Sequence, residues 1–398
     1  MAETAVIVAG CRTPVGKFQG ALSSLTATQL GAIVVKEAVH RAGLKPEQVE
    51  EVILGNVLQA GLGQNPARAA ALWGGIPDSV PSVTINKVCG SGLKAIMLAA
   101  QAIKAGDRTV VVAGGMESMS NAPHLLMGSR TGIKFGEGKL VDHMQHDGLW
   151  DQYNDMSMGM TGEIVAERHG VSRADADALS VRSNQRAAEA HKAGRFNAEI
   201  VPVSIPQRKG PPVVVTQDEG VRADSDAATL AKLKASFKDG GQVTAGNSSQ
   251  ISDGAAAVVV VAKSFALAHK LPILAEIEAY DASGTKPEWV MEAPIVSVRN
   301  LFAKTGLSAK DVDLFEHNEA FASASCAVQK AFHVPDDRFN VDGGAVAMGH
   351  PIGASGTRLI VHLANELNRR GGGRGLATLC LGGGNAVTMT IRVPKAPA

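Results

Sequence analysis

The spacing of apolar and polar residues forms one pattern that occurs once in each half of the chain. In the first half, helical spacing of apolar residues predicts a helix over Thr26–Ala42, which stops at a glycine. In the second half, the same spacing predicts a helix over Ile295–Thr305, which also stops at a glycine. Each stretch continues with Gly-Leu, a short polar segment and an apolar run that ends at an asparagine, Asn56 or Asn318. The match within one gap indicates an internal repeat.

The repeat continues downstream with a period of about 265 residues. The stretch Val80–Val88 leads into Cys89–Gly92 and a helical pattern. Its counterpart, Phe339–His350, leads into Gly353–Gly356 and a second helical pattern. A strand-to-helix turn rich in glycine is therefore expected at the same place in both halves.

Both halves then contain a continuously apolar strand that runs into glycines, Thr109–Gly115 and Leu376–Gly384. Such strands, alternating with helices, are typical of sheets covered on both faces. The sequence thus predicts an α/β protein of two similar halves packed side by side, with a functional site at their shared strand and helix ends. The alternative interpretation is chance similarity among glycine-rich α/β segments.

The segment between the halves has no counterpart, and insertions of this kind often carry substrate or subunit contacts. It contains glycine-rich turns over Gly128–Gly138, polar helix patterns over Met160–His169 and Ala174–Ala193, and a predicted hairpin around Lys209–Pro212. The predicted units are an N-terminal half of residues 1–119 and 246–268, an inserted loop domain of residues 120–245, and a C-terminal half of residues 269–398.

Composition narrows the class of protein. The 398 residues include 39 Lys and Arg against 38 Asp and Glu, a balance that argues against nucleic-acid binding. No apolar run reaches the roughly 18 residues that span a bilayer, and no targeting peptide is visible. Four dispersed cysteines argue against a zinc site or a disulfide framework. We therefore expect a cytoplasmic protein that binds no metal, nucleic acid or membrane.

Two residues at the matched turns are candidates for chemistry. Cys89 lies between a predicted strand and a helix, so we expect the helix dipole to lower the pKa of its thiol. The Cys89 N–H is a candidate oxyanion donor. His350, flanked by Gly349 and Pro351, can take a proton from a thiol near neutral pH. The alternatives are a buried structural cysteine and a histidine bonded to a backbone carbonyl.

Two further candidates lie at strand ends in the second half. Cys380 precedes three glycines, whose N–H groups could bind an anion, although the absence of a following Lys-Ser/Thr excludes a P-loop. Taken alone, Cys380 is better explained by a structural role than by a chemical one. Asn318 could hold a water or polarise a carbonyl. In combination, a cysteine and a histidine indicate covalent acyl chemistry, and a second thiol suggests removal of a proton from a carbon acid.

These residues lie in motifs that resemble the thiolase family, and the resemblance runs essentially end to end. The matching motifs are Asn86–Gly92 (NKVCGSG), Gly114–Ser120 (GGMESMS), Asn318–Ala322 (NEAFA), Gly343–Gly356 (GGAVAMGHPIGASG) and Cys380–Gly384 (CLGGG). The resemblance implies a five-layered αβαβα fold of two similar halves, assembled as a homodimer or homotetramer. It also implies that acyl-CoA and coenzyme A are the substrates and that no cofactor is needed.

The resemblance assigns roles to the candidates. Cys89 would accept the acyl group, His350 would activate it, and Cys380 would remove the α-proton of a second acetyl-CoA. Asn318 with His350 would form one oxyanion hole, and the N–H groups of Cys89 and Gly382 the other. Contacts to coenzyme A would come from Arg222, Ser249, Ala320 and Phe321. The glycine-rich turns over Gly128–Gly138 fall where relatives place a tetramerisation loop.

Three features leave the substrate open. Ser157 stands where short-chain thiolases carry a histidine, Pro287–Pro294 differs from the short-chain branch, and Asn247–Gln250 is similar to the degradative branch. The preferred hypothesis is an acetyl-CoA C-acetyltransferase, and the alternative is a broader 3-ketoacyl-CoA thiolase of fatty acid β-oxidation. A thiolase-like ketoacyl synthase or a non-catalytic lipid carrier is more remote, because Cys380 and the other three candidates are all present.

Overall fold

The computed structural model describes residues 3–394, so the outermost residues of the two predicted halves, 1–2 and 395–398, lie outside it. The strands are β1 (Ala5–Arg12), β2 (Gly16–Lys17), β3 (Glu51–Gly55), β4 (Ser82–Ile85), β5 (Val110–Ser118), β6 (His124–Leu126), β7 (Leu140–Asp142), β8 (Trp150–Asp151), β9 (Met156–Ser157), β10 (Val203–Ile205), β11 (Val213–Val215), β12 (Ser252–Ala262), β13 (Ala275–Gly284), β14 (Leu314–His317), β15 (Gly373–Leu381) and β16 (Asn385–Val393).

The α-helices are α1 (Ala27–Arg41), α2 (Pro66–Trp73), α3 (Ser91–Ala105), α4 (Met158–His169), α5 (Arg173–Lys192), α6 (Ala227–Ala231), α7 (Lys263–Ala268), α8 (Ala293–Thr305), α9 (Ala322–Phe332), α10 (Ala345–Met348) and α11 (Ser355–Arg369). The helices that the sequence predicts, α1, α3, α4, α5, α8 and α11, begin and end close to the predicted positions. A capping box of Thr26 and Gln29 starts α1. The predicted glycine stops of α3 and α8 are confirmed, because Gly106 and Gly306 adopt left-handed backbone there.

One large sheet contains the repeat that the sequence predicted. Its strands run in the order β14-β15-β16-β13-β1-β12-β5-β3-β4, and β2 extends the pairing of β12. In the first half, β3 and β5 are parallel, and β12 and β1 follow in antiparallel order. In the second half, β14 and β15 are parallel, and β16 and β13 follow in antiparallel order. The halves join where β1 pairs with β13, at Val6 with Glu276 and Ile7 with Ala275.

The two halves enclose a central layer of two helices, α3 and α11. Their leucine and isoleucine side chains form one buried core with the inward face of both half-sheets. On the outward faces, α1 and α2 cover the first half, and α8 and α9 cover the second. The layers therefore alternate helix, sheet, helix, sheet, helix, which confirms the predicted five-layered α/β fold.

Glycines in the two matched turns allow α3 and α11 to approach each other closely. A Cβ at Gly92 would lie 2.6 Å from the Thr357 hydroxyl, and one at Gly356 would lie 2.5 Å from the Leu93 nitrogen. No side chain fits at such distances, so both positions require glycine. The CGSG and GASG turns thereby bring the N-terminal ends of the two central helices together.

The segment between residues 120 and 245 contributes no strand to the large sheet in the described part of the chain. It forms three small hairpins, β6 with β7, β8 with β9 and β10 with β11, together with α4, α5 and α6. The hairpin predicted around Lys209–Pro212 and the two predicted polar helices are confirmed. The division of the chain into three units stays a prediction.

A buried carboxylate, Glu117, ties the two halves together at the end of β5. One of its oxygens accepts hydrogen bonds from the Asn56 side chain and the Leu58 N–H, and the other accepts from the N–H groups of Val57 and Gly353. Gly353 lies in the second half, so the carboxylate joins both turns. Burial raises the pKa of Glu117 to about 7, although these donors act to lower it.

Replacement of Glu117 by glutamine tests this junction. One orientation of the amide places its NH2 group against the Leu58 N–H and the Asn56 amide, and the other places it against the N–H groups of Val57 and Gly353, so Glu117→Gln should lower the free energy of unfolding by about 2 kcal/mol. The thermal unfolding midpoint measures this. The matched control Glu47→Gln, at an exposed position, should change stability by less than about 0.5 kcal/mol. Equal midpoints for both variants would contradict the role of Glu117.

Candidate active site

Cys89 lies in the turn between β4 and α3, as the sequence predicts. The turn is held by Ser91, whose hydroxyl donates to the Val88 carbonyl at 2.6 Å and accepts from the Lys87 N–H at 2.8 Å. Val88 itself adopts a φ of 47°, in the left-handed region that a β-branched residue rarely enters. This strained residue, which no sequence pattern predicts, lies directly before the candidate nucleophile.

Three of the four side chains predicted to act in catalysis, Cys89, His350 and Cys380, line a single inner cavity of about 50 Å³. Gly382, Met158, Met291 and Phe321 also contribute to its wall. The Cys380 thiol is buried and its sulfur lies 3.5 Å from the Met291 sulfur. The structure thus places both thiols and the imidazole, which come from distant parts of the chain, around one small space.

His350 is fixed through both its backbone and its ring. Its N–H donates to the Gln250 carbonyl at 3.0 Å, and its Nδ1 lies 2.6 Å from the Ser355 hydroxyl. Ser355 is also placed to donate to the Pro351 carbonyl at 3.0 Å. When the Ser355 hydroxyl donates to that carbonyl, its oxygen accepts a hydrogen bond from His350 Nδ1–H. His350 Nε2 then keeps the lone pair that a base requires.

Asn318 follows β14 and lies against the imidazole. Its Nδ2 is 3.3 Å from His350 Nε2 and 3.4 Å from Nδ1, and its Oδ1 is 3.5 Å from the guanidinium of Arg358. Its N–H donates to the Thr378 carbonyl, which anchors the residue to β15. All four side chains predicted to act in catalysis therefore lie at one site, with Asn318 beside the ring.

The electrostatics overturn one expectation. Burial raises the pKa of the Cys89 thiol to about 12, although the N–H groups of Cys89 and Gly382 point toward the sulfur and act to lower the pKa. The expected low pKa of Cys89 is therefore not found, because loss of water around the sulfur outweighs the effect of these N–H groups.

The other two titratable groups also favour their neutral forms. Burial, aided by the Arg358 charge, lowers the pKa of His350 to about 3. Burial and the neighbouring Cys89 raise the pKa of Cys380 well above that of an ordinary thiol. The resting site at neutral pH accordingly holds two thiols and an uncharged imidazole.

The residues predicted to contact coenzyme A divide into two groups. Ser249 and Phe321 line both the inner cavity and a wider outer cavity of about 360 Å³, and Ala320 lines the inner one. Arg222 is exposed and lines neither cavity; its N–H donates to the Asn184 side chain. Ser157, which stands where the sequence comparison predicted a histidine to be replaced, lies in the wall of the outer cavity.

Sequence reasoning missed several supporting residues. Glu319 is buried directly after Asn318, where its carboxylate accepts from the Ser183 hydroxyl at 2.6 Å and the Asn340 amide at 2.8 Å. Ser183 belongs to α5, so this contact ties the inserted segment to the site. Ser355 and Arg358 were also missed, although their spacing of three on one helix indicates a shared face.

Within residues 3–394, no helix has the length and apolar character needed to cross a membrane. The same residues contain no cluster of three or more His, Cys, Asp or Glu side chains arranged to bind a metal ion.

Comparison with known proteins places this site in a family. Residues 5–264 match the thiolase N-terminal domain and residues 271–393 the thiolase C-terminal domain. The chain is 50% identical to an acetyl-CoA acetyltransferase of Pseudomonas aeruginosa, with 98% of this chain and 99% of that protein covered. It is 47% identical to a probable acetyl-CoA acyltransferase of Staphylococcus epidermidis, with 97% and 98% covered. The crystal structure of the Bacillus anthracis acetyl-CoA acetyltransferase superposes with a TM-score of 0.96 at 40% identity, covering 98% of this chain and 99% of that one.

The pKa values of the site predict how Cys89 reacts in the free protein. With a thiol pKa of about 12 and an imidazole pKa of about 3, the thiolate fraction should rise about tenfold per pH unit between pH 7 and 9. The rate of alkylation by iodoacetamide, followed by mass spectrometry of the Cys89 peptide, should rise in the same way. Cys89→Ala serves as the control, since its labelled peptide must be absent. A rate that is already constant from pH 6 to 8 would instead reveal a preformed thiolate–imidazolium pair.

Proposed function

The chain belongs to the thiolase family, and we propose that Cys89, His350 and Cys380 divide a reversible Claisen condensation of acetyl-CoA between them. As a family member the protein is an acyltransferase that acts on coenzyme A thioesters. The observation that supports the assignment of residues is the shared inner cavity, because two thiols and an imidazole face the same small volume.

In the first half-reaction, His350 takes the Cys89 proton as the sulfur attacks the thioester carbonyl of acetyl-CoA. A sulfur–carbon bond to Cys89 forms, the bond to coenzyme A breaks, and the proton leaves with the coenzyme A thiolate. Since both groups are neutral at rest, charge separates only when substrate is present. Substrate that fills the cavity brings a carbonyl oxygen on which donors can stabilise the developing charge.

In the second half-reaction, His350, neutral again, takes the proton of Cys380, and the resulting Cys380 thiolate removes an α-proton from a second acetyl-CoA. The enolate carbon attacks the acetyl group on Cys89, a carbon–carbon bond forms, and Cys89 leaves as a thiolate that takes the proton held by His350. The burial that raises the pKa of Cys380 makes its thiolate a strong base, which suits a weakly acidic carbon. Thiolysis follows the same path in reverse, with coenzyme A as the attacking thiol.

Donors for the developing negative charge come from two directions. The N–H groups of Cys89 and Gly382 converge on the Cys89 sulfur, so we assign them to the oxyanion of the acyl-enzyme. We assign Asn318 and His350, which lie together on the other side, to the thioester oxygen of the enolate. Ser249, Ala320 and Phe321 would contact coenzyme A through the cavity walls, and Arg222 would contact its nucleotide end.

We further propose that residues 120–245 contribute to coenzyme A binding and to contacts between subunits of a homo-oligomer. The hairpin of β6 and β7 exposes several large apolar side chains, including Phe135, Met127 and Ile133, as expected for a surface that another subunit covers. The proposal covers a dimer and a tetramer alike, and the cytoplasmic location stays a prediction.

The size of the inner cavity favours acetyl transfer. One water needs roughly 10–15 Å³ on this measure, so about 50 Å³ holds only a few heavy atoms around Cys89. The broader 3-ketoacyl-CoA alternative has support in the outer cavity, whose wall includes Met119, Met144 and Met158. Methionine side chains adapt their shape and could make room for a longer chain.

Replacement of Cys380 by serine should separate the two half-reactions. Incubation of Cys380→Ser with acetyl-CoA should still give an acetyl adduct on the Cys89 peptide in mass spectrometry, because the first step does not use Cys380. Acetoacetyl-CoA formation should fall at least about 100-fold, since a hydroxyl is a poor general base. Cys89→Ser, as the matched control, should give no adduct. Normal condensation by Cys380→Ser would remove that residue from its assigned role, and an adduct only at another cysteine would remove Cys89.

A panel of 3-ketoacyl-CoA substrates of rising length tests the substrate preference. If the inner cavity sets the limit, kcat/KM for thiolysis should fall at least about tenfold between four and eight acyl carbons, because the added methylenes must displace packed side chains. Steady-state thiolysis assays with the free enzyme provide the measurement. Constant or rising kcat/KM along the series would favour the broader alternative.

A further inference from the structure

One face of α11 is polar although the helix is buried over most of its length. Ser355, Arg358, His362 and Glu366 recur at intervals of three or four residues, so they share a side of the helix, and all four are buried. The first two point at the active site: Ser355 contacts His350, and Arg358 contacts Asn318. The mechanism proposed above uses neither residue.

Arg358 occupies an unusual position for a buried cation. Only 2% of its surface is exposed, its Nε has no hydrogen-bond partner, and its Nη2 contact to Asn318 Oδ1 is its one side-chain hydrogen bond among the described residues. Arg12 is as deeply buried, yet it pairs with Glu199 and with Asp218 at 2.7 Å each. Burial of a charge without an ion pair is unfavourable, so packing alone does not account for arginine at this position.

We propose that Arg358 is a positioning residue that holds the Asn318 carboxamide in the one orientation useful for the reaction. An asparagine amide can turn over and exchange its oxygen and nitrogen. Turning over would set the Asn318 NH2 against the guanidinium, two donors facing each other. The guanidinium therefore keeps Oδ1 on its own side and leaves the NH2 group toward His350.

The charge of Arg358 also acts on the imidazole. It lowers the pKa of His350, adding to the larger effect of burial. The other titratable groups at the imidazole are the thiols of Cys89 and Cys380. Arg358 thus helps to keep His350 in the uncharged form that can accept the Cys89 proton.

The charged groups around Arg358 do not cancel this effect. They are Glu316 on β14, Asp218 and Glu199 from the inserted segment, and Arg12 on β1. Burial raises the pKa of Glu316 to about 8, so this carboxyl is largely uncharged at neutral pH. Asp218 and Glu199 are already paired with Arg12.

This inference rests on the proposed function, and the experiment separates the two. Acetylation of Cys89 in the wild-type protein is measured first; its absence would count against the proposed function whatever Arg358 does. With an active wild type, Arg358→Met and Arg358→Lys are compared in thiolysis of acetoacetyl-CoA. Circular dichroism and the thermal midpoint establish that each variant folds.

Arg358→Met should lower kcat about 10- to 100-fold, the usual effect of losing one hydrogen bond to a charged group. KM should change less than about threefold, because Arg358 lines neither cavity. Without the positive charge, the pKa of His350 rises while burial still holds it below its ordinary value, so the acid-side fall of kcat should lie at higher pH in Arg358→Met than in the wild type. Arg358→Lys keeps the charge and should lower kcat without this shift in the pH profile.

A double-mutant cycle then tests whether Arg358 acts through Asn318. In an Asn318→Ala background, the further change to Met at position 358 should lower kcat less than about threefold. Independent, multiplicative losses would overturn the proposal, as would a fall in kcat that follows stability alone with an unchanged pH profile. If neither Arg358 variant folds, the thermal midpoint of Asn318→Ala decides. A lower midpoint is expected because the guanidinium loses its partner, and an unchanged midpoint would refute the contact.

Discussion

The close approach of α3 and α11 is the constraint on which the site depends. Gly92 and Gly356 leave no room for a side chain where the helices meet, so the turns that precede the helices come together. Those turns carry Cys89 and His350, from opposite halves of the chain. Any side chain at either glycine would separate the helices and with them the sulfur and the imidazole, because packed interiors absorb very little extra volume. The glycines of both motifs thus contribute to the chemistry indirectly, because they set the separation between Cys89 and His350.

That packing also explains why the site is neutral at rest. Two helices and two half-sheets remove water from the sulfurs and the imidazole, which opposes charge on each of them. A free thiolate would react with any electrophile that enters the cavity. In the proposed mechanism, the half-buried Cys89 thiol beside an uncharged imidazole becomes nucleophilic only when an acyl group fills the space and its oxygen accepts hydrogen bonds from the N–H donors. Selectivity and protection of the sulfur then follow from the same burial.

The fold and the main site residues could be predicted because their signals are local. Cys89, His350 and Cys380 stand beside glycines at element ends, and each half repeats the same order of helix stops and strands. The pKa of Cys89 could not be predicted, since a window of sequence shows the helix dipole but not the desolvation imposed by distant segments. Arg358 could not be predicted for a related reason. An arginine on a helix normally indicates a solvated face, and only the tertiary packing buries this one.

The two halves share a plan but use equivalent positions differently. Asn56 and Asn318 end matching apolar runs, and both side chains are buried. The Asn56 amide donates to Glu117, the carboxylate that ties the halves together, whereas the Asn318 amide faces His350. The Glu117 carboxylate fixes the Asn56 amide by accepting a hydrogen bond from its NH2 group. The Arg358 guanidinium fixes the Asn318 amide by donating to its oxygen, which leaves the Asn318 NH2 group free for substrate or water. The charge of the neighbouring residue thus decides which end of each asparagine amide is held and which end is left for other partners.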